Sequence, residues 1–346
     1  HWVAQRLVAE VSFTEWTAGG RIRHPVFLGL REDKSAREVT IEAPQPVARA
    51  APATGNSVAG ITLSNPDRVY FPDLGITKRE LAAYYEAVAD RILPGLANRP
   101  LTLLRCPEGI EGECFYQKHA NRGVSEAVAR VRVRRGEEPY AIVNDLAALV
   151  SLVQIGVLEL HVWGARADRL DRPDLCVFDI DPDPAVTWPR VVETAVALRV
   201  LLEDLGLAAF ARVTGGKGVH VVVPLVRRAG WDDVRDFAQG VAQRLVRLAP
   251  DRFTAVMSKA RRKGKIYIDW VRNTRGATAV ASYSTRARPG APVAVPLAWD
   301  ELESLSSPLH ESVREVPRRL AMPDPWQHFD ASRRPLTRAA QDRVKE

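Results

Sequence analysis

The sequence predicts an α/β fold, and two observations carry the prediction. From about residue 60 onward, segments that alternate apolar and polar residues are interleaved with segments whose apolar residues recur at helical spacing. Two of the strand segments, 210–213 and 219–225, are joined by five residues of which three are glycine, the composition of a tight hairpin. A chain of 346 residues has room for two domains, or for one large domain with an appendage. Its 46% apolar and 26% charged residues are those of an ordinary globular protein with a sizeable core. No apolar run approaches the roughly 18 residues that span a bilayer, and no signal peptide opens the chain; a cytoplasmic protein with no membrane partner is expected. Cys106, Cys114 and Cys176 lie in apolar, strand-like surroundings without metal-ligand spacing, so all three are expected as reduced core residues. A net charge of +7 suits a polyanionic partner without requiring one.

In chain order, residues 7–13 read as an alternating strand, Thr17 to Arg21 as a hairpin turn, and 23–34 as further strand. This is too little to close a barrel, so 1–42 reads as the tail of a truncated β domain. Residues 43–59, rich in Pro, Ala, Gly and Ser, read as a linker. Thr77 and Glu80 form a capping box, and Leu81, Tyr84, Tyr85, Val88 and Ile92 follow on one helical face. Lys78 in the first turn opposes the helix dipole, which makes sense where an anion docks on exposed backbone N–H groups; a solvated lysine is the commoner case. Residues 101–106 and 114–118 read as strands. The second sets Phe115 beside Tyr116, so one ring should face outward as a stacking platform for a base, unless a bend buries both. Asp145 caps a helix ending near Gly156, and 157–164 is a strand that delivers His161. Amphipathic helices are predicted at 188–205 and 231–248.

The chemistry is organised around 175–184. A strand's period of two sends Asp179 and Asp181 out of one face while Cys176, Phe178 and Ile180 pack on the other. Two like charges on one edge of an apolar strand repel unless a cation lies between them. Paired carboxylates holding Mg²⁺ or Mn²⁺ against a nucleotide's phosphates are a recurrent answer; two solvated aspartates at a strand end are the plain alternative. Further on, Thr214, Gly215, Gly216, Lys217 and Gly218 make a turn whose backbone N–H groups can converge on a phosphate, with His220 as a further donor on the next strand. It lacks the spacing and the Lys-Ser/Thr ending of a Walker loop. The strongest basic cluster, Lys259, Arg261, Arg262, Lys263 and Lys265, abuts a strand with Asp269 at its apolar centre, a third carboxylate. A strand over 278–284 then leads to Arg286 and Arg288.

This order of features resembles the archaeo-eukaryotic primase-polymerase superfamily. The phrases LELHVWG (158–164), FDIDPDP (178–184), GGKGVH (215–220) and YSTRAR (283–288) are similar to the polymerase domain of bacterial DNA ligase D. Residues 1–42, with Arg31 to Lys34 as an R-x-D-K run, resemble the end of the OB-fold of ATP-dependent DNA ligases, a fusion characteristic of that family. The resemblance implies an α+β primase-polymerase core of mixed, largely antiparallel sheets flanked by helices over 60–337, followed by a tail at 338–346. It implies a two-metal nucleotidyltransferase that adds nucleotides, preferentially ribonucleotides, to 3′-OH ends. Such an enzyme fills short gaps at 5′-phosphorylated double-strand breaks in bacterial non-homologous end joining.

Residue by residue, Asp179, Asp181 and Asp269 match the family's catalytic metal ligands. Thr214, Gly215, Gly216, Lys217, His220, Arg286, Arg288 and His161 match groups around the incoming nucleotide. Asn65, Arg68 and Lys78 match a pocket for the DNA 5′-phosphate, with Arg68 where lysine is common. Phe115 and Tyr116 match an aromatic pair that stacks on template DNA. The implied cofactors are two Mn²⁺ or Mg²⁺ ions, with NTP or dNTP as substrate; the implied partners are 5′-phosphorylated DNA ends, Ku and the ligase domain of the same polypeptide. The chain holds no K-x-D-G nucleotidyl-lysine motif, so ligation is not expected of it. Two readings compete: a metal-dependent phosphodiesterase, which needs no triphosphate nest, and a non-catalytic module that bridges DNA ends, whose binding survives EDTA.

Overall fold

In the computed structural model the described residues are 8–12, 15–16, 22–23, 26–31, 56–120 and 123–345. The chain divides into two compact units, His1–Thr54 and Gly55–Glu346. In the first unit β1 (Val8–Ser12) pairs antiparallel with β4 (Val26–Arg31), and β2 (Glu15–Trp16) with β3 (Ile22–Arg23). The turn expected from Thr17 to Arg21, the R-x-D-K run beyond Arg31 and most of the linker lie outside the described residues.

The second unit opens with two ribbons, β5 (Ser57–Val58) with β6 (Ile61–Thr62) and β7 (Val69–Phe71) with β8 (Ile76–Thr77), followed by α1 (Lys78–Ala87) and α2 (Ala89–Leu96). Next come β9 (Leu101–Arg105), β10 (Phe115–Gln117), β11 (Ala129–Val131), β12 (Tyr140–Ile142), α3 (Leu146–Gln154), β13 (Val157–Trp163), β14 (Leu175–Pro182) and α4 (Trp188–Asp204). Then follow β15 (Phe210–Val213), β16 (Val219–Pro224), α5 (Trp231–Leu248), β17 (Phe253–Thr254), β18 (Ile266–Asp269), β19 (Thr278–Val280) and β20 (Val295–Leu297). The helices α6 (Trp299–Ser304) and α7 (Arg338–Arg343) complete the unit. Two six-stranded sheets result. One has the order β11-β12-β9-β13-β19 with β10 also on β9; the other runs β17-β18-β14-β16-β15-β20 and is antiparallel except for β17 against β18.

The strand β14 shows why the expected mixed, largely antiparallel core forms. Cys176, Phe178 and Ile180 are fully buried in the main core with Val191, Ala195, Leu198 and Leu202 of α4 and Val234, Phe237 and Val241 of α5. Val177 faces the other way, into a small cluster with Val222 and Ala279, and Asp179 and Asp181 continue that face at the strand's period of two. Helix α1 starts where the capping box was expected. Thr77 Oγ1 accepts from the Glu80 N–H at 3.2 Å, and Glu80 Oε2 accepts from the Thr77 N–H at 2.9 Å. Thr77→Ala removes one half of that exchange and is expected to cost about 1 kcal/mol, read as a shift of the urea midpoint at unchanged slope.

Three expectations change. The single helix foreseen through Ile92 is two, because Val88 takes a bridge conformation (φ −98°, ψ 10°) that ends α1 and re-aims α2 so that Ile92 and Leu96 are buried. The strand foreseen over 278–284 stops at Val280, and Tyr283 turns with a φ of 63°. Cys106 and Cys114 are not reduced core thiols: they are joined in a disulfide, and Cys114 is exposed. The β9–β10 register, in which Phe115 lies opposite Arg105, brings the next pair outward, Cys106 and Cys114, face to face. Cys176 alone among the three is a free, buried thiol, and burial pushes its ionisation up.

Candidate active site

Strand β14 lies between β18 and β16, and its register sets Asp179 opposite Asp269 on one side and opposite His220 on the other. Opposed residues of an antiparallel pair are about 4.5–5.5 Å apart at Cα. Three segments distant along the chain therefore bring two carboxylates and an imidazole to one spot, with Asp181 two residues further on the same face. The chain's own cations meet all three acids. Arg272 bridges two of them, Nη2 lying 3.1 Å from Asp179 Oδ2 and Nε 3.2 Å from Asp269 Oδ2. Asp181 is held by Arg262 Nη1 at 2.8 Å and Lys217 Nζ at 3.1 Å. In this arrangement no three His, Cys, Asp or Glu side chains among the described residues converge as a ready cation cage.

Burial by itself raises the Asp179 carboxyl, but His220 and the Arg272 guanidinium outweigh it and hold Asp179 well below the usual carboxylate range. Burial pushes Asp269 up, and the Asp179 charge adds to this while Arg272 offsets part of it. Burial pushes His220 down to about 4, so its ring is neutral near pH 7. Arg212 Nη2 lies 2.8 Å from His220 Nδ1, and a guanidinium can only donate. Nδ1 is therefore the bare nitrogen, and Nε2 carries the proton 3.6 Å from Asp179 Oδ1. The sequence reading missed Arg212 and Arg272. Arg272 follows Asp269 by three residues in a 3₁₀ turn, a spacing that sequence does supply; Arg212 faces His220 only through the β15–β16 register.

The glycine-rich turn lies directly over these groups. The Thr214 N–H and hydroxyl both donate to Gly218 O at 3.1 Å, closing it. Gly215 takes a φ of +67°, and a Cβ there would stand 2.9 Å from Arg286 Cγ. A Cβ on Gly218 would stand 2.8 Å from Ile180 O, so the turn rests on β14 too closely for a side chain. Lys217 leaves the nest, its Nζ bonding Pro182 O as well as Asp181. Arg286 Nη1 donates to Thr214 O at 2.5 Å, and its Nε pairs with the buried Glu159 at 3.1 Å. Glu159 Oε2 also lies 2.8 Å from His161 Nε2, so this carboxylate, unremarked in the sequence, joins two of the predicted nucleotide contacts. Arg288 is exposed at the rim, 3.0 Å from a Cβ placed on Gly216.

The remaining predicted contacts form a second cluster. Lys78 is buried, not solvated: its Nζ donates to Ser64 O at 2.8 Å and Gln154 O at 3.1 Å, and burial lowers its pKa, with Arg68 adding to the effect. The first backbone N–H groups of α1 are not open to an anion, since Lys78 N bonds Arg68 O, Arg79 N bonds Pro66 O and Glu80 N bonds Thr77 Oγ1. A phosphate here must rely on side chains. Arg68 donates to Pro107 O at 2.9 Å and pairs with Glu108, while Asn65 is exposed with a φ of 47°. Phe115 and Tyr116 are both exposed, at 41% and 63%, where one was expected to face inward. The three-residue β10 pairs only with β9 and reaches no core. The Tyr116 ring stands edge-on to His161 at 5.8 Å, which links the aromatic pair to Glu159 and the glycine turn.

The family profile described as "LigD, primase-polymerase domain" matches residues 77–326, and that described as "ATP dependent DNA ligase C terminal region" matches residues 1–34. The chain belongs to the LigD primase-polymerase family. It is 44% identical over 350 residues to the multifunctional non-homologous end joining protein LigD of Pseudomonas aeruginosa, covering 98% of this chain and 42% of that protein. The LigD of Mycolicibacterium smegmatis is 35% identical over 246 residues, covering 70% of this chain and 32% of that protein. A solved structure described as the polymerase domain from Mycobacterium tuberculosis ligase D in complex with DNA matches with a TM-score of 0.74 at 32% identity. It covers 79% of this chain and 99% of that domain. The mixed α/β architecture of this LigD family member is thus the family's own fold, while the chain spans less than half the length of the full relatives.

Proposed function

We propose that the second unit is a DNA-end nucleotidyltransferase that extends 3′-OH ends and fills short gaps beside a 5′-phosphate; the relatives are named for non-homologous end joining, and the solved one is a polymerase domain in complex with DNA. The observation that carries the reading is the register placing Asp179 between Asp269 and His220, beneath the glycine-rich turn. The hard oxygen donors of Asp179, Asp181 and Asp269 suit Mn²⁺ or Mg²⁺, which would supply charge neutralisation and activation of the attacking hydroxyl. For those ions to bind, Arg272 must release the Asp179–Asp269 pair, and Arg262 and Lys217 must release Asp181. Lys217, freed on the turn, becomes available to a triphosphate, beside the His220 Nε2–H, Arg286 and the exposed Arg288. Arg212 fixes the His220 tautomer, so this hydrogen-bond donor needs no acid to protonate it. The exposed rings of Phe115 and Tyr116 would stack on template bases, and Arg68, Asn65 and Lys78 would take the 5′-phosphate. Preference for ribonucleotides, use of Ku, and hand-over of the filled end to the ligase domain rather than ligation by this chain belong to the same proposal.

The test is primer extension with labelled NTPs or dNTPs on a gapped duplex, with and without Mn²⁺. Incorporation that requires the divalent ion is expected, with NTPs used ahead of dNTPs; no incorporation under any condition overturns the reading. Phosphorylating the 5′ end of the gap should raise the rate, and Lys78→Ala should lower the ratio of phosphorylated to unphosphorylated rates by about tenfold. That ratio is taken within one protein, so any stability lost from orphaning the Ser64 and Gln154 carbonyls cancels.

A further inference from the structure

The disulfide stands between two parts of the proposed DNA surface, the loop against Arg68 and the Phe115–Tyr116 pair. Cys106 follows β9 directly, buried, with its N–H on Gly156 O at 2.8 Å; Cys114 precedes Phe115 directly and is exposed. Their Cα atoms are 4.3 Å apart, the spacing of an opposed strand pair, so the bond extends a ladder that otherwise holds β10 by only three residue pairs. The loop it closes carries Pro107 and Glu108, both in contact with Arg68, and Ile110, whose N–H bonds Tyr70 O at 2.9 Å. Arg105 reinforces the same hairpin, with Nη1 2.9 Å from Gln117 Oε1 and its guanidinium 5.4 Å from the Phe115 ring centroid. One bond therefore sets both the register of Phe115 and Tyr116 and the wall against Arg68. A slip of one residue would exchange the faces of the two rings.

We infer that Cys106–Cys114 is a thiol-exchange site, open to a dithiol reductant, whose oxidised form sets the chain's grip on a DNA end. The inference rests on the end-processing reading above. A reductant thiolate reaches the exposed Cys114 sulfur, the S–S bond breaks, and the Cys106 sulfur leaves as a thiolate that takes up a proton. The reductant's second thiol then displaces Cys114 and closes the reductant's own disulfide. Two electrons and two protons pass to the protein, and the dithiol is oxidised. Intracellular disulfides are more often redox-sensing than structural, in keeping with one that joins a three-residue edge strand to the loop packed against Arg68.

The experiment measures binding of the full chain, oxidised with diamide or reduced with dithiothreitol, to a fluorescent duplex with a 5′-phosphorylated recessed end. Affinity for a fluorescent NTP in Mn²⁺ is measured alongside. The oxidised chain is expected to bind the duplex at least about fivefold more tightly, with NTP affinity unchanged. Cys106→Ala/Cys114→Ser is expected to stay at the reduced value in both conditions, and so is Cys114→Ser alone, which spares the buried position. Equal duplex affinity in the two states, with the linkage verified by mass spectrometry, overturns the inference, as does a chain that diamide leaves unlinked. A dithiothreitol effect that persists in the variants, or falls equally on NTP binding, also overturns it. A chain that binds no duplex in either state sinks the DNA-end reading together with this one.

Discussion

Asp179→Ala is expected to lower nucleotide addition by at least about 10³-fold, because the developing charge loses several kcal/mol of stabilisation with its cation ligand. The fold should survive the change. Asp179 is ion-paired to Arg272 and faces His220, but Arg272 keeps Asp269 at 3.2 Å, and His220 keeps its bond from Arg212 at 2.8 Å. Arg212, buried beside His220, loses the carboxylate charge that offsets its burial, so the urea midpoint should fall while the chain stays folded. DNA-end affinity should also persist, since the proposed end contacts lie on β10, in the loop between β6 and β7 and at the start of α1. Asp181→Ala releases Arg262 and Lys217, both with side-chain exposure of their own, and is expected to behave alike. The comparison is single-turnover incorporation against duplex affinity in the same preparation. Retained incorporation by either variant removes the carboxylates from the chemistry; joint loss of incorporation, duplex binding and stability makes them structural.

How much of this site the sequence disclosed follows from the range of the interactions concerned. The side-chain alternation of β14 is a local property, so the shared face of Asp179 and Asp181 and the burial of Phe178 and Ile180 were readable directly. The capping box at Thr77 and the helix cap at Asp145 were local too, and both form, with Asp145 Oδ1 accepting from the Ala148 N–H at 2.8 Å. The opposition of Asp179 to Asp269 depends on strand order, which one sequence does not contain; family resemblance supplied it. What escaped was the set of partners that take up charge. Arg272, Arg212 and Glu159 look like ordinary strand or loop residues, and only tertiary pairing sets one against two acids, one against an imidazole and one between His161 and Arg286. Lys78 failed in the opposite sense, because the carbonyls that bury it come from Ser64 and Gln154, fourteen residues before it and seventy-six after. The cysteines were misread for the same reason: their spacing suggested nothing, while the β9–β10 register made them neighbours.

Arg99→Ala is expected to destabilise the second unit by about 3 kcal/mol, the low end of the cost of breaking a buried ion pair, because Arg166 and Arg333 still face Asp174. Arg99 and Asp174 are 2% and 1% exposed, and the guanidinium meets the carboxylate with two bonds, at 2.6 and 2.9 Å. Arg166 and Arg333 reach the same carboxylate at 3.2 Å, so the cluster ties β14's leading end to α2 and to the C-terminal segment. Burial alone would raise Asp174, but Arg99 and then Arg333 and Arg166 hold it below the ordinary value. A depressed native pKa means that the unfolded chain binds the proton first, so this stabilisation is complete above the unfolded value near 3.9 and is lost as pH falls through the lower native one. Urea titrations at pH 7 and in that acid window should therefore show the wild type losing stability toward acid faster than Asp174→Asn, whose amide does not titrate. Arg99→Met paired with Asp174→Leu distinguishes the charge from its location. If burial of an under-compensated carboxylate is what costs, the double variant recovers most of what Arg99→Ala lost, whereas a double variant as weak as the single one assigns the loss to packing.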